Sequence, residues 1–590
     1  MSLAEGGGGH RESGESGLSR ATASSALIPP PSRRVHRGTS PGIGALTLLL
    51  LALLLWSVVY PNVSIIAGSF AGGLVSWREF FASPGDMDAL RGTVIVAVGS
   101  VFAALLIGVP LAFLLTRSEF RGRRLLGGVA TLPAALPPLV GVLAFLFLYG
   151  ESGVITRVVQ RAFGMAEAPW TLQGLPAVIF VHAYTMYVYV FLFVSAGLER
   201  YDTTLDEAAQ GLGASRSLLL RRITLPLLTP SLVGAMLLVF MSALGSFSAP
   251  YVFGGGARVL ATQILVSRLN GSLGLAYVET TVLAVTAVLA LLVLRRIEGR
   301  RQYTMAGKGR ATRGMLGSGA ARALVPPLAV LLVVLLVLPH LMVVLISFAR
   351  DGAWTTQLLP PEYTMDNYRA LATDRRLWRP ITNSVGMSAV ATIANAVVCF
   401  AIAYVVVLSK ARGRRMLALV AALPWAIPAT AIALGLAATF DRNAPLQLRV
   451  LLVGTFWILP FAYFIRNIPL VTSAIEGSLR QMDPTLEDAA RGLGASRWMA
   501  LRRVILPAAR PGLIAGTMLA AVAAVGEFVA SVVLYTHANR PISVEILAQV
   551  RSLSFGTAAA YSVLLIALVL AMTVGARWLE GVGMARVPSS

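Results

Sequence analysis

The chain has 590 residues, 56% of them hydrophobic and 13% charged, with a formal net charge of +22 and a mean hydropathy of +0.75. A soluble domain carries roughly 25% charged residues, so this balance excludes an ordinary soluble fold and points to a protein that lives in lipid. The single cysteine, Cys399, excludes an intrachain disulfide framework and a multi-cysteine metal site.

Residues 1–43 are rich in Gly, Ser and Arg, and they read as a disordered cytoplasmic tail. The apolar run that follows is too long for a signal peptide and lacks a clear small-residue cleavage site. A helix needs about 20 apolar residues to cross the hydrocarbon core. That length predicts membrane helices near 44–69, 91–116, 125–149, 173–197, 227–249 and 274–296, then near 322–349, 382–409, 416–440, 449–476, 509–536 and 558–577.

The positive charge is not spread evenly between these runs. In the first half, loops 117–124, 200–222 and 295–322 hold sixteen Lys or Arg, whereas loops 61–90, 150–172 and 250–272 hold five. The positive-inside rule places the richer set, and both termini, in the cytoplasm. The charge thus sets topology and implies no nucleic-acid partner.

Between the fourth and fifth runs lies LDEAAQGLGASRSLLLRRITLPLLTP (205–230), and between the tenth and eleventh LEDAARGLGASRWMALRRVILPAARP (486–511). They align at an offset of 281 with 15 identities in 26 positions. RGRR recurs at 121–124 and 412–415, and Pro133 and Pro137 match Pro424 and Pro428, both at offset 291. One six-helix unit is therefore written twice. Because six is even, the halves share an orientation and are related by a pseudo-two-fold axis along the membrane normal. The fold class is an all-α polytopic membrane protein of about twelve transmembrane helices. Its parts are the tail 1–43, a first half 44–296, a basic, Gly-rich cytoplasmic linker 297–321, a second half 322–577 and a cytoplasmic tail 578–590. Pro133, Pro137, Pro138, Pro424 and Pro428 interrupt two of the helices, either as plain kinks or where backbone meets a water-lined cavity.

The repeated stretch is built as two short helices around a bend. Asp483 caps the first and Pro484 suits its first turn. Leu486, Ala489, Ala490 and Leu493 fall at i, i+3, i+4 and i+7 on one apolar face. Gly494 supplies the left-handed residue that ends the helix. Ser496 caps a second helix, expected to stop near Pro507. The first copy repeats this with Asp202, Leu205, Ala208, Ala209, Leu212, Gly213, Ser215 and Pro226. Two such small-sided knobs on the cytoplasmic side fit a partner with two sockets.

The pattern E-A-A, three residues, Gly, nine residues, I-x-L-P resembles the signature of ABC importer permeases of type I. Glu207, Ala208, Ala209, Gly213, Ile223, Leu225 and Pro226 match it, and Asp488, Ala489, Ala490, Gly494, Val504, Leu506 and Pro507 repeat it with Asp for Glu and Val for Ile. The resemblance covers essentially 44–577. It implies that Glu207, Ala208, Ala209, Gly211, Leu212 and Gly213, with Asp488, Ala489, Ala490, Gly492, Leu493 and Gly494, couple to an ATP-hydrolysing subunit. No G-x-x-x-x-G-K-[ST] loop is present, since Lys308 is followed by Gly309 without the earlier glycine. ATP and Mg then belong to a separate ATPase, expected in two copies, and this chain itself is no enzyme and binds no cofactor. The resemblance further implies a bacterial inner-membrane location and a periplasmic or lipid-anchored solute-binding protein docking on loops 61–90, 250–272, 350–381 and 537–555.

The fused layout, with ALGSFSAPYVFGGG (243–256) and AVGEFVASVVLYTHANRPISV (524–544), resembles the iron(III) permease group, which has thiamine and phosphonate relatives; polyamine or sugar cargo and an ion-gradient-driven secondary transporter are the alternatives. At offset 281 Ser246 pairs with Glu527 and Phe247 with Phe528. Glu527 falls inside an expected membrane helix, where a charge costs about 2.5–3.5 kcal/mol unless it meets water or a partner. Either it lines the route and favours a passing cation as a transient ligand, or it pairs with an internal arginine, or it is protonated. No storage metal site is expected. His182, Tyr184, Tyr187 and Tyr189 read as packing or interfacial aromatics, and Arg466 as a snorkelling side chain or a helix end.

Overall fold

The computed structural model of the protein describes residues 41–135, 137–299, 314–315, 319–352, 357–441, 451–483 and 485–584. Residues 1–40 of the expected tail, most of the linker, Pro484, 449–450 of the expected tenth helix and the last six residues lie outside this set. The described residues form eleven helices long and apolar enough to cross a membrane, and a twelfth crossing built from a bent pair. In chain order the first half holds Pro41–Ser69, Pro84–Arg117, Pro138–Ala162, Gly174–Glu199, Ser217–Leu244 and Leu273–Val293. The second holds Arg322–Ser347, Arg375–Leu408, the pair Arg414–Ala426 and Ala429–Thr439, then Ile458–Gln481, Arg497–Val525 and Phe555–Ala576. Two expected boundaries shift. Helix starts at Pro41, inside the expected tail, and the last helix runs to Met584, past 577.

Small residues set the closest helix approaches, as they do wherever lipid gives helices no hydrophobic reason to associate. Pro84–Arg117 packs lengthwise on Gly174–Glu199. There a Cβ on Gly108 would sit 2.6 Å from Val190 Cβ and one on Gly99 2.7 Å from Ile179 Cδ1.

The halves are exchanged at their first helices. Tyr60–Ser69 packs on Ala429–Thr439 of the second half, and Gly319–Ser347 packs on Pro138–Tyr149 of the first. Gly435 lies against the Pro61 backbone, and Tyr184 shares a hydrogen bond with His340 Nδ1 at 2.8 Å across the halves.

Proline breaks the ninth crossing and interrupts the helical segments leading into the third, with one correction. In the second half the break falls at Ile427–Pro428, where the extended Ile427 and Pro428 (φ −58°, ψ 145°) turn the pair through 109°. A residue before proline is pushed out of the helical region, which explains the position. Pro424 sits inside Arg414–Ala426 and does not break it. In the first half helix runs Arg123–Ala130, Pro133 lies in a 3-10 turn (Leu132–Ala135), and Pro137 (φ −58°, ψ 136°) precedes the restart at Pro138.

Two further expectations fail. The fifth and eleventh helices end at Leu244 and Val525, not at 249 and 536; each is followed by a bend and a six-residue helix, Ser248–Phe253 and Val529–Leu534. Apolar residues resume directly after both bends, so the hydropathy of the flanking runs does not mark them. Nor does the helix after each elbow stop at Pro226 or Pro507. A π turn (Leu220–Thr224 and Leu501–Ile505) precedes each proline, and the helix continues. The wider turn relieves the clash between a proline ring and the carbonyl four residues back.

Candidate functional site

The two elbows come out nearly superposable. Thr204–Gly211 and Thr485–Gly492 are the short helices, and neither buries a residue. Asp202 Oδ1 accepts from the Thr204 N–H at 3.0 Å, and Asp483 Oδ1 from the Thr485 N–H at 2.9 Å. That backbone donor, seconded by the Thr485 hydroxyl, holds the Asp483 carboxyl below its ordinary range. Each helix ends on a glycine with positive φ, Gly213 (+84°) and Gly494 (+87°). The Ala214 N–H donates to Ala209 O at 3.0 Å and the Ala495 N–H to Ala490 O at 3.1 Å, the six-to-one bond of a Schellman end. Ser215 and Ser496 then cap the next helix through Leu218 N (3.3 Å) and Met499 N (3.2 Å).

The tips are apolar and bare. Leu212 and Leu493 are each 90% exposed, flanked by exposed Glu207, Ala208, Gly211, Asp488, Ala489 and Gly492, with Ala209 and Ala490 half-buried. The elbows differ in their bracing. Arg117 donates to Asp206 at 3.0 Å while its guanidinium lies 4.5 Å above the Tyr201 ring, and the Tyr201 hydroxyl donates to the same carboxylate. Nothing printed in the sequence flagged Arg117 for this role; the second half has Leu408 at the matching offset of 291.

About 28 residues of helix, some 42 Å at 1.5 Å per residue, separate each elbow from the bends at 245–247 and 526–528. There the pathway residues expected from sequence converge. The Phe247 and Phe528 rings lie 5.9 Å apart, both buried. Gly245 sits near Pro428 of the other half, and a Cβ on Gly526 would lie 2.8 Å from Pro137 Cγ. Each half thus wedges its helix break against the other half's bend, with the buried phenylalanine pair between the two contacts. Pro133 and Pro424 are buried in the helices leading to the breaks. Sequence reasoning passed over Gly245 and Gly526, although they pair at the 281 offset beside Ser246 and Glu527.

Glu527 is not within a helix crossing, as expected, but in the bend, and it is 8% exposed. Arg466 Nη1 donates to its Oε2 at 2.5 Å and the Ala530 N–H to its Oε1 at 2.9 Å, so both carboxylate oxygens have partners. Its backbone carbonyl accepts from Ser531 (2.8 Å) and Ser543 (2.6 Å), and the Tyr463 hydroxyl meets Ser531 Oγ at 2.7 Å. Glu527 thus meets an internal arginine, and Arg466 sits within Ile458–Gln481 rather than at a helix end. In the first half Ser246 stands at the place of Glu527 and Thr185 at that of Arg466, and Ser246 is joined instead to His182 at 2.8 Å, with Ser100 on the other ring nitrogen at 2.9 Å. An ion pair on one side of the seam faces a Ser–His–Ser hydrogen-bonded chain on the other. Tyr184 and Tyr187 are buried packing groups with backbone acceptors. Among the described residues no three His, Cys, Asp or Glu side chains cluster closely enough to hold a metal.

The family described as binding-protein-dependent transport system inner membrane component matches residues 104–301 and again 396–581. A probable ABC transporter permease of Sinorhizobium fredii (y4fN) is 30% identical over 78% of this chain and 81% of its own length. A ferric transport system permease of Actinobacillus pleuropneumoniae (FbpB) is 28% identical over 93% of this chain and 79% of its own. A probable molybdenum ABC transporter permease of Haloferax volcanii is 30% identical over 43% of this chain and 89% of its own.

Proposed function

The chain belongs to the binding-protein-dependent transport system inner membrane components, as an ABC importer permease, and from that premise we propose how its parts divide the work. The elbows seat two copies of a separate ATPase on the cytoplasmic face, and both termini lie on that side. A solute-binding protein docks on the opposite face and delivers cargo to the seam. The observation that carries this reading is the pair of bare leucine-tipped elbows, with Leu212 and Leu493 90% exposed, more than any other large hydrophobic side chain among the described residues. Burying a leucine contributes about 1.5–3 kcal/mol, and an exposed apolar knob of this shape has a use when a partner covers it.

ATP binding draws the two ATPase copies together and moves the elbows with them. Each elbow continues into the fifth or eleventh helix, whose far end is wedged against the other half's proline break. Moving the elbows therefore acts on the phenylalanine pair. ATP drives this only by favouring one arrangement over the other. ATP and Mg stay with the ATPase.

Iron(III) is the cargo we propose. The ferric relatives of A. pleuropneumoniae and Haemophilus influenzae match 93% and 84% of this chain and support it, whereas the molybdenum relative matches 43%. Glu527 itself is held by Arg466 and the Ala530 N–H, so it is not free to ligate a passing ion. Uptake of 55Fe into proteoliposomes carrying the chain, its ATPase and its binding protein tests both halves of the reading. ATP-dependent, vanadate-sensitive iron uptake is expected. Uptake driven by an ion gradient without ATPase would replace the importer reading with a secondary transporter, and ATP-driven uptake of another solute in its place would remove iron.

A further inference from the structure

Beyond the phenylalanine pair, on the side of the seam away from the elbows, lies a cavity of about 490 Å³. Tyr251 and Leu265 of the first half and Tyr535, Arg540, Leu547 and Arg551 of the second line it. Its floor is the seam itself. Tyr251 sits one turn past Phe247 with the rings stacked 5.1 Å apart, and the N–H of Val532, another lining residue, donates to Phe528 O at 2.8 Å.

The charge in this vestibule is one-sided. The Arg551 guanidinium lies 5.1 Å over the Tyr251 ring and has no acidic partner among the described residues. Arg540 donates Nη1 to Glu545 at 2.8 Å and Nη2 to His537 Nδ1 at 3.3 Å, while its Nε is buried without an acceptor. Glu545, the acid beside the cavity, is also bound by Gln549 at 2.7 Å, so it offsets Arg540 and leaves Arg551 uncompensated. The frame is fixed before any solute arrives. Asn539 caps Thr536 and donates to Thr455 O at 2.9 Å, and Asn383 donates to Arg540 O at 3.0 Å. An unpaired guanidinium on such a cleft is satisfied by anionic oxygens, which accept charge-assisted hydrogen bonds, and it repels a bare cation.

We propose that this vestibule receives solute presenting anionic oxygens, through Arg551, before the seam opens. The inference rests on the importer reading above. Two sources share the chemistry: a free oxyanion, or iron(III) wrapped in anionic oxygen ligands. Equilibrium dialysis of the full chain in nanodiscs, against labelled molybdate, inorganic phosphate and ferric citrate, separates them. Saturable binding of molybdate or phosphate assigns a free oxyanion, and binding of ferric citrate with neither of those assigns the wrapped metal. In either case Arg551→Gln should weaken binding about tenfold, and Arg551→Lys should recover part of it. Arg551 is exposed and touches one ring, so the Gln variant folds, and its thermal melt checks this. Absence of saturable binding for all three probes, or an Arg551→Gln variant that binds like the parent, overturns the proposal. ATP-driven uptake that is unchanged in Arg551→Gln removes the vestibule and leaves the importer standing. Wild-type uptake that ignores ATP removes the importer reading, while the dialysis result still decides anion binding.

Discussion

Truncating the elbow tips, Leu212→Ala and Leu493→Ala, separates a partner-facing role from a structural one. Each side chain is 90% exposed, so within the chain it buries almost nothing that truncation could remove. The variants should therefore melt within about 0.5 kcal/mol of the parent, as surface substitutions do. In the complex the change deletes three carbon groups per elbow, each contributing about 0.8 kcal/mol when buried. That is about 2.4 kcal/mol per site, a loss in ATPase affinity on the order of 50-fold. Titrating fluorescently labelled ATPase onto nanodisc-embedded chain measures it. One substitution should weaken one of two binding events, and the double variant both. Full affinity in the double variant, with the fold intact, would refute the reasoning.

Gly494→Val should weaken ATPase binding while Gly494→Asn largely preserves it. Nothing lies within 4 Å of a Cβ there, so the cost is the left-handed backbone at φ +87°, about 1–2 kcal/mol for an ordinary residue. Equal binding by both variants would show that the bend does not matter. Glu527→Gln and Arg466→Gln should each lower thermal stability, and a double-mutant cycle should give a coupling of about 0.5–3 kcal/mol. A coupling of zero would mean the pair is incidental. Gly526→Ala should hold the seam ajar because its Cβ would meet the rigid Pro137 ring at 2.8 Å, whereas Gly245→Ala meets nothing closer than 3.6 Å and should be tolerated. Cross-linking of cysteines placed at Phe247 and Phe528, in a Cys399→Ser background, should fall in the first variant and persist in the second.

The elbows were legible because their determinants are local. Asp483, Gly494 and Ser496 each act within three or four residues, and the 281 offset doubles the signal. The same offset made the repeat legible and paired Ser246 with Glu527 and Phe247 with Phe528, while the contact between the two phenylalanines is long-range and was not. The bends at 245 and 526 were not, because apolar residues resume directly after each one and hydropathy does not separate burial by protein from burial by lipid. The Arg466–Glu527 pair spans 61 residues, and two charges inside expected membrane helices were the available clue. Pro226 and Pro507 read as helix stops because a π turn leaves no residue signature. The exchange of first helices between the halves is a matter of chain path, on which composition and periodicity say nothing.

Photo-cross-linking from positions 212 and 493 in intact cells tests the central assignment most directly. Both positions should capture the same nucleotide-hydrolysing protein, and neither should react with a membrane-impermeant reagent added outside. Labelling of either tip from the external medium, or capture of no ATPase at both, would contradict the account.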